Sequence, residues 1–238
     1  MAGRSETMRF SAGALVFPGG RVDPADLAMA RDPGLGQGFL DLDDIDAAAR
    51  IAAIRETLEE TGLLLTQGPM PDPDHLASAR QRLAASPDHK EACTFAALIA
   101  SLGHKADASC LHPFAAWQPA AQARVTRRYL ARFYLVDVSS IDSSLLSPDG
   151  QEAVALHWLT AAEALVHHLD RLVFPTRALL ARIAQYDTLD ALLSSARRHG
   201  CTMIQPSFFT RDGATWVSIP EGLDYPLTQA PLASLRCT

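Results

Sequence analysis

Residues 55–62 read Arg-Glu-Thr-Leu-Glu-Glu-Thr-Gly, three carboxylates and a guanidinium in eight positions. On a helix, Glu56, Glu59 and Glu60 stand at i, i+3 and i+4 and share one side. At roughly 100° per residue, with Glu56 at 0°, Glu59 falls near 300° and Glu60 near 40°. Ala47, Ile51, Ile54 and Leu58 fall on the opposite side, so the helix has an apolar face for a core. Arg55 lies four residues before Glu59, where an ion pair holds Glu59 in one rotamer. Three like charges on adjacent turns repel. Two readings fit them: a solvated face whose charges water screens, or ligands for a hard cation. Mg²⁺ takes oxygen ligands and keeps several waters, so a few carboxylates together with substrate phosphates suit it.

The flanking sequence must position that face. Aspartates at 43 and 44 suit a helix start, and Gly62 suits the left-handed residue that ends one, so the helix is predicted from Asp43 or Asp44 to Thr61. Residues 11–17 read as a short strand broken by Pro-Gly-Gly at 18–20. Residues 21–44 read as a loop with one short helical turn near Leu27. Two helices are predicted within 74–104, split around Ser-Pro-Asp-His-Lys. Residues 127–138 form the clearest strand, rich in Tyr, Phe, Leu and Val. Another strand is expected over 153–159, a helix from Ala161, and a helical pattern from Thr176 to His199 with a break near Tyr186–Asp187. The turn of a closing hairpin is set at Arg-Asp-Gly, 211–213.

The chain has 238 residues, 48% of them hydrophobic, enough for one sizeable core, and the whole of 1–238 reads as a single domain. A net charge of −6 argues against a nucleic acid partner, whose affinity comes from Lys and Arg on phosphates. A small phosphorylated ligand stays open, because a metal supplies positive charge locally. Cys93, Cys110, Cys201 and Cys237 stand far apart, with no zinc spacing. The first ten residues lack an apolar signal region, and no apolar run approaches the ~18 residues of a membrane span. The expectation is a soluble, cytoplasmic protein with no membrane partner. Oligomeric state is not legible.

Upstream of the carboxylate helix, Phe17–Asp26 reads FPGGRVDPAD. Pro18-Gly19-Gly20 together with RETLEETGL resembles the signature of the Nudix hydrolases. Gly20 is followed after five residues by Asp26, an acid one methylene short of the family's Glu. Arg55, Glu56, Glu59, Glu60, Gly62 and Leu63 match the second half, and Thr57 replaces an aliphatic residue. Twenty-eight residues separate Asp26 from Arg55, against seven in the signature, so 21 are extra. Lengthening a surface loop costs little entropy. Such an insertion, about 27–47, resembles the branch related to the peroxisomal coenzyme A diphosphatases. LHPFAAWQPAAQARVTRRYLARFYL, EAVALHWLTAAEAL, FPTRALLARIA and IPEGLDY extend the likeness over roughly residues 8–226.

The resemblance implies an α+β Nudix fold, a mixed sheet sandwiched between helices, with additional helices in 74–104 and 176–199. Members carry strands ahead of the glycine loop. Here that segment reads as a loop tail, with N-terminal strands missing. The implied activity is Mg²⁺- or Mn²⁺-dependent hydrolysis of a diphosphate, with CoA or acyl-CoA giving 3′,5′-ADP and (acyl-)phosphopantetheine. ADP-ribose, a nucleotide sugar or a dinucleotide would leave the same box, and a nucleotide-binding Nudix protein with weak catalysis is an alternative of another class. Carried over by position, Glu56, Glu59 and Glu60 hold metal with the Gly19 carbonyl, and Arg55 orients Glu59. Glu56, Glu59 and the distant Glu152 are the candidates for general base. Gly20 lets backbone approach the substrate, and Arg124, Arg127 and Arg128 are candidates for its phosphates. Trp117 is either a core aromatic or a stacking partner for adenine.

Overall fold

The computed structural model describes residues 1–6, 12–67, 71–84, 94–122, 129–199 and 202–235. Ala2–Arg4 form β1, a short strand ahead of the glycine loop, where the resemblance implies that N-terminal strands are missing; it meets the loop tail read at 4–10 only at Arg4. It pairs antiparallel with β2, Leu15–Val16. The stretch 21–44 is more ordered than a loop. In α1, Pro24–Ala30, proline sits in the first turn, where its missing N–H removes no helical bond, and Asp26 accepts from the Asp23 amide at 2.8 Å. β3, Gly36–Gln37, follows. Arg31 gathers the rest of the stretch, donating to the carbonyls of Phe39, Leu40 and Leu42 and to the Asp44 carboxylate. These bonds give the segment its shape without any sequence periodicity.

α2, Asp44–Thr61, has the bounds its caps predict. Asp43 accepts from the Asp46 amide at 2.8 Å, and Gly62 closes the helix at φ 78°. Then come β4, Thr66–Gln67, α3, Pro73–Ala84, α4, Phe95–Leu102, and β5, Lys105–Asp107. The next strands are β6, His112–Trp117, β7, Ala131–Leu135, and β8, Ala153–Leu156. α5, Ala161–His167, opens on a Thr160–Glu163 capping box. The predicted 176–199 pattern is two helices, α6, Phe174–Ile183, and α7, Leu189–His199, and the break takes in Tyr186 and Asp187. β9, Met203–Ile204, precedes the hairpin of β10, Ser207–Arg211, and β11, Ala214–Ser218. Asp212 and Gly213 turn it with φ of 50° and 76°, the two positive values that a tight hairpin turn needs. β12, Gln229–Pro231, ends the order.

The fold is α+β, but its strands are shared among several small sheets. Among the described residues there are four three-stranded sheets, ordered β2-β1-β8, β3-β5-β4, β7-β6-β9 and β10-β11-β12. The second and third mix parallel with antiparallel pairs. Ile51, Ile54 and Leu58 of α2 are fully buried in one apolar cluster with Phe39, Ile99 and Leu111. Trp117 belongs to a second cluster, edge-on to Phe174 and Tyr225. Its ring is a core aromatic, not a platform for adenine. No helix among the described residues is long and apolar enough to cross a membrane.

Candidate active site: a carboxylate helix under a glycine loop

The face of α2 opposite its core is not a solvated one. Glu60 is only 4% exposed, and Glu56 and Glu59 are partly buried. The Pro18–Gly20 turn and the β1–β8 pair account for this. Gly19 has φ 152°, a backbone that suits glycine, and its amide hydrogen-bonds to the Glu60 carboxylate. A Cβ at Gly20 would stand 2.4 Å from the Glu56 carboxylate, so the backbone reaches the acid only because position 20 has no side chain.

Arg55 joins the two halves of the box across the insertion. Its Nε and Nη2 donate to the two oxygens of Asp26 at 3.0 and 3.1 Å, and Nη2 also donates to the Arg21 carbonyl at 2.9 Å. Nη1 donates to Glu56 Oε1 at 2.9 Å and to Glu59 Oε2 at 3.1 Å. All five guanidinium N–H groups are therefore matched. The sequence-based pairing of Arg55 with Glu59 is present, and the larger part of the network is the Asp26 fork. Burial alone would lower the Arg55 pKa, but the Asp26 hydrogen bonds and the charges of Asp26, Glu56 and Glu59 raise it. Asp26 serves twice, accepting from Arg55 and from the Asp23 amide. Thr57, the other departure, hides its hydroxyl on the Ala53 carbonyl at 2.7 Å.

The carboxylates feel burial and one another. Burial pushes Glu56 up to about 7, Arg55 opposes this, and the charges of Glu59 and Glu152 add to it. Burial and the Glu56 charge push Glu60 up to about 8 against Arg4 and the Gly19 amide. Glu59 is also raised, by burial first. Glu152 immediately precedes β8, close enough for its charge to act on all three. It is exposed, with Arg4 Nη2 at 3.9 Å. Arg4 is the site residue that sequence reasoning missed. It reaches the carboxylates because β1 pairs with β8, and no local pattern around it signals that pairing. Arg124, Arg127 and Arg128 lie outside the described residues.

A hard cation fits this donor set. Among the described residues, no three His, Cys, Asp or Glu side chains form a ready-made metal cluster, and Arg55 draws one oxygen each of Glu56 and Glu59 to itself. The donors are nevertheless all oxygen, and Glu60 Oε2 is a buried acceptor with no hydrogen-bond partner. The Glu56 carboxylate itself lies in the space that a side chain at position 20 would fill.

Comparison with known proteins agrees with this geometry. The family described as the NUDT19 Nudix domain matches residues 40–176. An acyl-coenzyme A diphosphatase NUDT19 from Homo sapiens is 30% identical over 79% of this chain and 61% of its own length. The protein of the same name from Gallus gallus is 29% identical over 87% of this chain and 67% of its own. This chain thus spans about three fifths to two thirds of those relatives. The crystal structure of a Nudix hydrolase from Alicyclobacillus acidocaldarius superposes with a TM-score of 0.63 at 28% identity, covering 81% of this chain and 86% of that one. With Asp26, the Arg21 carbonyl, Glu56 and Glu59 joined in space through the Arg55 guanidinium, the chain belongs to the Nudix hydrolases, in the NUDT19-type family.

Proposed function

We propose that this chain hydrolyses the diphosphate of CoA or acyl-CoA, with Mg²⁺ or Mn²⁺, to 3′,5′-ADP and (acyl-)phosphopantetheine. The observation that carries the reading is the buried oxygen set of Glu56, Glu59 and Glu60 beside Arg55, in a chain similar to acyl-CoA diphosphatases. Glu56 and Glu60 would hold the metal, with Glu59 a third ligand directly or through water and the Gly19 carbonyl a fourth donor. Such an ion neutralises diphosphate charge and acidifies water. Hydrolysis forms one bond from a water oxygen to phosphorus and breaks the bridging P–O bond, and the water's proton passes to a base. Arg55 keeps the Glu59 and Glu56 carboxylates oriented. Glu152 is our candidate for the base, because it is exposed and stands beside the three acids. Gly20 keeps the loop's backbone near the reacting group, and Arg124, Arg127 and Arg128 would meet the substrate's phosphates.

The test is product identification by mass spectrometry on a panel of CoA, octanoyl-CoA, ADP-ribose and a dinucleotide. The expected result is 3′,5′-ADP from the CoA compounds, lost on chelation and restored by Mg²⁺ or Mn²⁺. Brisk turnover of ADP-ribose with none of CoA would move the substrate assignment while leaving the hydrolase reading in place.

A further inference from the structure

The Glu152 side chain is 56% exposed, and Arg4 Nη2 stands 3.9 Å from it. An exposed ion pair of that length does little to fix a carboxylate. The backbone of Glu152 is held far more firmly. Asp149 Oδ1 accepts from the amides of Gln151 at 3.0 Å and Ala153 at 2.8 Å, and Oδ2 accepts from the Glu152 amide at 3.3 Å. Three successive amides thus close on one carboxylate. The Gly150 amide donates to the Ala153 carbonyl at 2.9 Å, and the Ser5 amide, just past β1, donates to the Glu152 carbonyl at 3.0 Å. The other end of this turn is tied to α2. The Ser147 amide donates to the Thr61 carbonyl at 3.1 Å. Arg80 Nη1 donates to Ser147 Oγ at 3.1 Å, and Arg80 Nε donates to the Glu59 carbonyl at 2.8 Å. Residues 147–153 therefore bridge the helix of the three acids to the strand that follows Glu152, and the Asp149 carboxylate sets the shape of the bridge.

We infer that Asp149 is a positioning residue for the reaction: it fixes the turn from which Glu152 reaches the water that attacks phosphorus. The inference rests on the proposed function, with Glu152 as its base, and deepens it. A base takes a proton only within hydrogen-bond reach, about 2.6–3.2 Å, so a turn that drifts carries the carboxylate out of range. Asp149 acts through the Glu152 backbone rather than on the substrate. Its loss should therefore lower kcat and leave KM nearly unchanged.

Two variants separate this role from a loss of charge. Asp149→Ala and Asp149→Asn both remove the negative charge, but the Asn carbonyl oxygen still accepts from Gln151 and Ala153. The measurement is kcat and KM for CoA with Mg²⁺, in variants of confirmed fold. Asp149→Ala should lower kcat on the order of 100-fold, the cost of an ångström of misplacement. KM should stay within about twofold, and Asp149→Asn should recover most of kcat. In a Glu152→Gln background, Asp149→Ala should cost nothing further, because the two residues act as one unit. A wild-type kcat in Asp149→Ala, an Asn variant as slow as the Ala one, or a full further loss in the Glu152→Gln background each overturns the inference. If Glu152→Gln alone leaves kcat unchanged, Glu152 is not the base, and the inference falls while the hydrolase reading stands. If wild type turns over no CoA compound, the proposed function fails first. Hydrogen exchange at the amides of residues 151–153 then judges the turn by itself. Faster exchange in Asp149→Ala, slowed again in Asp149→Asn, supports the hold on Glu152, and exchange equal to wild type overturns it.

Discussion

Arg55 and Asp26 are 5% and 3% exposed, and each is the other's principal partner. Replacing Arg55 by Ala leaves a buried acid without its cation, so unfolding by urea should show a loss of about 3–5 kcal/mol. Arg55→Lys keeps the charge but cannot make the fork to Asp26 while holding Glu56 and Glu59. Activity should fall well before stability does. Gly20→Ala separates these two quantities further. A methyl there displaces the flexible end of Glu56 rather than backbone. The expected result is a near-normal melting temperature with kcat/KM down on the order of 100-fold, the cost of an ångström of misplacement. The acids also make stability depend on pH. Glu56 and Glu60 are raised to about 7 and about 8 from an ordinary 4.5, so between those values the folded chain binds more protons than the unfolded one. Stability in the presence of chelator should therefore fall as pH rises from about 5 to about 8. Glu60→Gln should flatten that slope in a series of thermal melts, and a slope unchanged by the variant would contradict the assignment.

The elements divide by how much of their structure is local. α2 was legible to its last residue because its caps, its apolar positions and its carboxylates repeat within one helix. The 211–213 turn was legible for the same reason, since Asp212 and Gly213 suit the positive φ that the turn needs. β1, β3 and β9 were not, because strands of two or three residues have no periodicity to read, and their partners are distant. The insertion shows the limit of composition most clearly. Its Gly, Pro and Asp content reads as a loop, yet Met29, Ala30 and Phe39 are buried against α2. It is built into the core that supports the carboxylate helix. Phe39→Ala should thus cost about 3–5 kcal/mol in a denaturant titration. A cost near zero would return the segment to the status of an inert loop. Asp43→Ala, which removes the α2 cap, should cost a smaller ~1 kcal/mol.

At the scale of the whole molecule, the site is assembled from pieces far apart in the chain. β1 brings Arg4, the glycine turn brings Gly19 and Gly20, α1 brings Asp26, α2 brings the acids, and β8 brings Glu152. Resemblance to a family pattern linked Gly20, Asp26 and Arg55 across 28 intervening residues, which periodicity alone could not do. The closing of that distance by one guanidinium explains how a long insertion coexists with an intact box. On the function proposed above, this assembly is a metal-dependent catalytic site for the CoA diphosphate. The measurement that bears on it most directly is mass spectrometry of CoA incubated with Mg²⁺ and either wild type or a Glu59→Gln, Glu60→Gln double variant of confirmed fold. Wild type should yield 3′,5′-ADP and phosphopantetheine, and the variant none above background. Equal product from both, or none from wild type, would contradict it.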